Sequence, residues 1–223
     1  MENERFPLRE KKFAKTKIAL ANAFIERLQA CRLDEIAIGD VCAGIDISAG
    51  TFFNYFPRKI DVVYYYNQLL SIKVLWRAMR QAAGRPVLAQ IDAVFAVVRE
   101  EYANPTIVYE MIAAMVGHKQ SPALLEITSA EKYYAFPECA GIEDVPHPAL
   151  MFEDFFEQCL EQARELRELP KTTDIAEALL GLKTILVGLP LAVRFEHFSE
   201  IGTHYTRQLN LLWRALGRKG FSK

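Results

Sequence analysis

The chain has 223 residues, about half of them hydrophobic, and a net charge of −1. That is enough apolar material for a full core, in one large domain or two small ones. The near-neutral balance excludes a nucleic-acid affinity carried by bulk charge, so any such affinity must come from a local patch. One stretch is suited to it. Arg5, Arg9, Lys11, Lys12, Lys15 and Lys17 stand against the single acid Glu10. Such a run is either an arm lying near phosphates or the solvated start of a helix.

The elements follow in chain order. Ile18, Ala21, Ile25 and Leu28 recur at steps of three and four, which draws one apolar stripe on a first helix. A short helical segment over 38–45 follows, then a turn at Asp46-Ile47-Ser48 and an aromatic run to Phe56. Pro57 interrupts, and a long helix is expected over 59–83, ended by Gly84-Arg85-Pro86. Further helices are expected over 87–102, 107–117 and 122–133, with a proline-containing loop after the last. Phe152, Phe156, Cys159, Ala163 and Leu166 form another stripe. Ile175, Leu179, Leu182, Leu186 and Val193 form the next, with a kink expected at Pro190. Tyr205, Leu209, Leu212 and Leu216 form the last. No alternating strand pattern with hairpin turns, no repeat and no low-complexity tract is present. The expected class is all-α.

Several chemistries lack their residues. Cys31, Cys42, Cys139 and Cys159 form no CxxC pair, and the four histidines do not cluster with them. No metal or cofactor is therefore expected. GxSxG, a phosphate loop and HExxH are all missing from the sequence. The charged start is followed by no apolar h-region, so no secretory signal is expected. The longest apolar stretch, residues 185–193, holds Gly188 and Pro190 and is too short for a bilayer span. A soluble, reducing, cytoplasmic setting without a membrane partner is the expectation.

The informative segment runs from Asp40 to Phe56. A helix-turn-helix needs a short helix, a tight turn and a second helix crossing it. Ala43 and Gly44 are small enough to let two helices approach. Asp46 tolerates left-handed backbone better than most residues. Ile47 is placed to plug the angle between the helices, and Ser48 is a good N-cap for the second. On that second helix Phe52 and Phe56 are four apart, so both can face a core. Ala49, Gly50, Phe53 and Asn54 then point elsewhere. Small Ala49 and Gly50 permit close approach to a groove floor. Asn54 suits adenine, and Phe53 suits a thymine methyl. Thr51, Tyr55 and Lys59 suit phosphate oxygens, and the N-cap Ser48 is counted with them in the DNA-binding set. Taken alone, each has a plain alternative: an aromatic run is commonly core, and Asn54 or Lys59 can be a solvated residue.

The run Ile47-Ser48-Ala49-Gly50-Thr51-Phe52-Phe53-Asn54-Tyr55-Phe56-Pro57-Arg58-Lys59 resembles the DNA-binding region of the TetR family of repressors. The resemblance covers roughly residues 13–63. It implies that Thr51, Tyr55 and Lys59 hold phosphates, and that Gly50, Phe53 and Asn54 lie at the groove. It also implies a homodimer on a palindromic operator and a C-terminal ligand-binding region. Three positions depart from the pattern. Asp46 stands where the family usually has Gly, Ala37 where a capping Thr is common, and Ala49 where a polar or basic residue is frequent. They shift phosphate grip toward the basic arm and Lys59.

The expected organisation is a helix-turn-helix DNA-binding domain over 1–58 and a larger helical effector-binding and dimerisation domain over 59–223. Leu179, Leu182 and Leu186 with Leu209, Leu212 and Leu216 recur near heptad spacing, which suits a four-helix seam between two copies. The alternative is that these stripes pack inside one chain. Phe95, Tyr102, Tyr109, Met111, Met115, Phe152 and Phe156 are candidates to line a cavity for an unknown apolar or amphipathic small molecule. Glu110, Glu153 and His118 are candidate polar anchors for it. The function expected is a ligand-released transcriptional repressor and not an enzyme. A helical enzyme or a protein-interaction module on the same scaffold is the alternative.

Overall fold

Apolar positions three and four apart build helices, and helices are what the chain forms. The computed structural model describes residues 5–117, 125–148, 152–194 and 198–218, and among these residues there are ten α-helices and no strand. In order they are α1 Leu8–Leu28, α2 Ile38–Ala43, α3 Ala49–Tyr55, α4 Lys59–Gln81, α5 Leu88–Glu101, α6 Pro105–Gly117, α7 Ser129–Ala135, α8 Glu153–Glu165, α9 Ile175–Ala192 and α10 Ile201–Ala215. The chain divides into two compact units, one made of residues 1–73 and 106–147, the other of residues 74–105 and 148–223. The division falls inside α4.

In the first unit, Ile18, Ala21, Ile25 and Leu28 of α1 are all buried, joined by Leu20 and Phe24. Phe24 stacks on Phe52 at 6.2 Å, Phe52 meets Phe56 at 5.9 Å, and Phe56 meets Tyr65 of α4 at 5.3 Å. This aromatic column anchors α3 from beneath. At the start of α4, Asp61 Oδ2 accepts the Arg58 backbone N–H at 2.9 Å, the backward half of a capping box.

The helix expected over 122–133 begins later and ends later. Residues 118–124 lie outside the described residues, and α7 starts at Ser129 because Thr128 caps it. Thr128 Oγ1 accepts from Glu131 N while Glu131 Oε2 accepts from Thr128 N, a full capping box. It stops at Phe136, whose backbone leaves the helical region just before Pro137, a position where helix geometry is disfavoured. This helix packs along α1.

In the second unit, α8 ends with Arg167 in left-handed backbone at φ 62° and a Glu168 N–H to Ala163 C=O bond of 2.8 Å. The turn brings the Glu168 carboxylate to the start of α5, where it accepts from Val87 N at 2.7 Å and Leu88 N at 3.0 Å. Those are two of the donors that a helix start leaves open. Gly217 makes the same kind of ending on α10 at φ 71°. It delivers Arg218 to Asp92 of α5 at 2.7 Å, beside the Trp213 Nε1 donor at 2.7 Å.

The apolar run over 185–193 is only part of a longer helix. Gly188 and Pro190 do not end α9, because Pro190 sits in its last turn. A proline has no N–H for the carbonyl four residues back, here Leu186. The Tyr205 hydroxyl of α10 donates to that carbonyl instead, at 3.0 Å. By length and composition α9 is apolar enough to cross a membrane: its 18 residues have a mean hydropathy of 1.7, and 22% of them are buried.

Candidate nucleic-acid interface

The segment from α2 to the start of α4 lies wholly in the first unit. Its turn is made by Asp46, in left-handed backbone at φ 53°. Beyond the turn the Ile47 N–H returns to the Cys42 carbonyl at 3.3 Å. Ser48 Oγ accepts from Thr51 N at 3.1 Å and caps α3. Phe52 and Phe56 are buried, as the four-residue spacing requires. Ser48, Ala49, Gly50, Phe53 and Asn54 are exposed, and Thr51, Tyr55 and Lys59 are half-buried. Thus α3 has one face in the aromatic column and the opposite face in water.

One packing expectation is corrected. Ala43 and Gly44 do not lie between the helices; both are exposed. Val41 and Cys42 fill that angle, and Ile47 is half-buried beside it. A helix of six residues has room for only one inward pair, and the inward pair is 41 and 42.

The basic arm also divides in a way the composition does not show. Arg5 pairs with Glu143 and lies over the Tyr133 ring. Lys15 sits over Tyr134 at 4.9 Å. Lys17 is buried against Glu131 at 2.7 Å and lies over Tyr65 at 4.3 Å. Three of the six bases therefore have partners within the first unit, although only Lys17 is buried and Arg5 and Lys15 stay exposed. Arg9 and Lys12 remain exposed. Arg9 is one turn before Phe13, and Phe13 packs on Tyr55 at 4.8 Å, so this flank of α1 borders α3. Sequence reasoning missed Phe13, although an aromatic set inside a basic run was the available signal.

Lys59 Nζ donates to the Asp34 carbonyl at 3.1 Å. An ammonium has three donors, so this bond fixes the side chain and leaves two for an anion. Gly50 is an exposed glycine in a helix, and a Cβ there would meet nothing nearer than Ser48 Oγ at 3.7 Å. No internal contact requires it, although a helical glycine costs about 0.5–1 kcal/mol relative to alanine.

The expected cavity residues are split. Phe95, Phe152 and Phe156 come together in the second unit: Phe95 stacks on Phe156 at 5.8 Å and Phe152 meets Phe156 at 5.9 Å. All three are buried against one another. Tyr102 is half-buried in the same unit, while Met111, buried, and Tyr109, half-buried, belong to the first unit. Glu110 is also in the first unit, and Glu153 of α8 pairs with Lys183 at 2.9 Å. The Met115 side chain and His118 lie outside the described residues.

The expected seam residues also divide. Leu179, Leu182 and Leu209 are buried inside the second unit, while Leu186, Leu212 and Leu216 are half-buried. The large exposed apolar side chains on these helices are Leu180, Leu191 and Leu211. Among the described residues no group of three or more His, Cys, Asp or Glu is placed to hold a metal. Comparison with family models, with curated proteins and with solved structures gives no match.

Proposed function

We propose that this chain is a sequence-specific DNA-binding transcriptional regulator of the TetR type, a repressor that meets duplex DNA through α2, the Asp46 turn and α3. The observation that carries the proposal is the outward face of α3. A short helix held from below by Phe52 and Phe56 presents Ala49, Gly50, Phe53 and Asn54 to water. Phe53 is 48% exposed, its ring edge-on to Phe52 at 5.3 Å. An exposed aromatic beside a glycine and an amide suits a groove floor: small residues for approach, an apolar contact for a methyl, an amide for a base edge. Thr51, Tyr55 and Lys59 surround it with groups for phosphate oxygens, and Ser48 caps the helix at the same edge.

The same proposal includes a homodimer on a palindromic operator, joined through the exposed apolar side of α9 and α10, and release by a small molecule. The low burial of α9 supports the first of these, since an apolar helix face in water calls for a cover. Selection from a random duplex pool tests the reading: an enriched palindrome is expected. Lys59→Ala should weaken all duplexes about equally and lower the salt slope by roughly one. Asn54→Ala should change the bases preferred, at a cost of about 1–3 kcal/mol. A pool that enriches no sequence would overturn the proposal.

A further inference from the structure

A cleft of about 250 Å³ runs between α5 and α10 in the second unit, lined by Asp92, Phe95, Ala96 and Arg99 on one side and by Gly202, Tyr205, Thr206, Leu209 and Asn210 on the other. Of these only Phe95, as an expected cavity residue, and Leu209, as an expected seam residue, enter the site expectations above. We propose that this cleft binds a small organic monocarboxylate that has an apolar body and a hydrogen-bonding group at its far end.

The anionic end is set by Arg99. A Cβ at Gly202 would overlap the Arg99 side chain, so α10 carries a glycine where the arginine stem crosses it. Arg99 is 3.6 Å from Glu100, and the same Glu100 also pairs with Arg77. That acid is therefore shared, and Arg99, half exposed at the rim of the cleft, keeps N–H donors for a further anion. A guanidinium in this state takes a carboxylate through two parallel bonds.

The middle of the cleft is apolar. Phe95, Tyr205 and Leu209 are buried and form its floor, and Phe95 meets Tyr205 edge-on at 5.3 Å. Ala96 is exposed, and its small side chain leaves the mouth open. The Tyr205 hydroxyl is committed to Leu186, so the ring offers only its apolar body.

The far end is polar but not repulsive. Asp92 stands seven residues from Arg99, about 10 Å along α5. Its carboxylate is engaged by Trp213 Nε1 and Arg218. Asn210, half-buried and one turn beyond Thr206, offers an amide there. The volume is below the roughly 300 Å³ at which drug-sized pockets begin, so the occupant is a single ring or a short branched chain.

The test reads binding alone, so it stands apart from the DNA-binding proposal. The probe is 3-(4-hydroxyphenyl)propanoate, titrated calorimetrically into the full chain. Saturable one-site binding is expected. Arg99→Gln should weaken it at least about tenfold, and the primary amide of the probe should lose as much. Asn210→Leu should remove the advantage of the hydroxylated probe over 3-phenylpropanoate. Ala96→Phe should block the cleft; if that variant fails to fold, Arg99→Gln and the neutral probe still decide. Equal affinity for acid and amide, unchanged affinity in Arg99→Gln, or no saturation at about 10 mM probe would overturn the proposal.

Discussion

Lys17 Nζ lies 2.7 Å from Glu131 Oε1, and both side chains are withdrawn from water. The other oxygen of the same carboxylate closes the capping box of α7. The Tyr65 ring lies under the ammonium, and its hydroxyl is held above the ordinary phenol range by burial, and then by the Glu131 charge. One carboxylate thus serves a helix start and a buried ion pair. Removing one partner leaves the other charge uncompensated, at a cost of about 3–5 kcal/mol. Glu131→Ala and Lys17→Ala should each lower the unfolding free energy from urea titration by that amount, shifting the midpoint down, and Lys17→Met with Glu131→Leu should recover much of it. Equal midpoints for wild type and Glu131→Ala would show that the pair contributes nothing.

The engagement of half the basic run by partners in its own unit has a consequence for salt dependence. Each phosphate contact adds roughly 0.9 to the slope of log affinity against log salt. Arg9→Ala and Lys12→Ala should each reduce the slope by about one. Arg5→Ala and Lys15→Ala should leave it unchanged, because Arg5 is engaged by Glu143 and Tyr133 and Lys15 by Tyr134. Filter-binding titrations at four salt concentrations separate the two groups.

Burial sorts the leucines of α9 and α10. Leu180 and Leu211 are each 57% exposed, whereas Leu182 is wholly buried. Leu180→Glu and Leu211→Glu should yield folded monomers in sedimentation, with helical content unchanged. Leu182→Glu should unfold the chain, since an unpaired charge there has no route to water. A Leu180→Glu chain that sediments like wild type would remove α9 from any interface between copies.

Alkaline stability should turn on the core. Burial, and then the charge of Glu168, pushes the Cys159 thiol from 9.0 up to about 12. Between those values the unfolded chain has lost a proton that the folded chain keeps. Stability is therefore full below about pH 9 and falls as pH rises toward 12. Tyr205, raised by burial, adds in the same direction from its ordinary value of 10.0 upward. Cys159→Ala should flatten the decline between about pH 9 and 10.5, as read from urea midpoints. An identical slope in that variant would exclude the thiol as its source.

The long helices were legible because a stripe of period 3.6 reports one buried face, and Ile18 to Leu28 in α1 is such a stripe. The outward face of α3 was legible for the same reason, once Phe52 and Phe56 were assigned inward. Periodicity does not say which body covers a stripe. Leu182 and Leu209 therefore read as a seam between copies, although they pack within one unit. The α1–α7 pairing was beyond reach, since Lys17 and Glu131 are far apart in sequence and a charge carries no periodic signal. The Glu168 cap on α5 is hidden likewise, because capping rules look three residues away and this cap comes from 80 residues on.

The first unit is assembled from two separated stretches of chain, and this sets an order in synthesis. A ribosome that has released residues 1–105 has made α1 and the turn before α3, but not the helix that covers Lys17. Arg5, Lys15 and Lys17 then stand without Glu143, Tyr134 and Glu131. The unit closes only when translation passes residue 147. A gene truncated after α4 therefore encodes a basic, half-covered helix set instead of a portable DNA-binding module, and nascent chains paused in that interval carry their strongest charge unmasked.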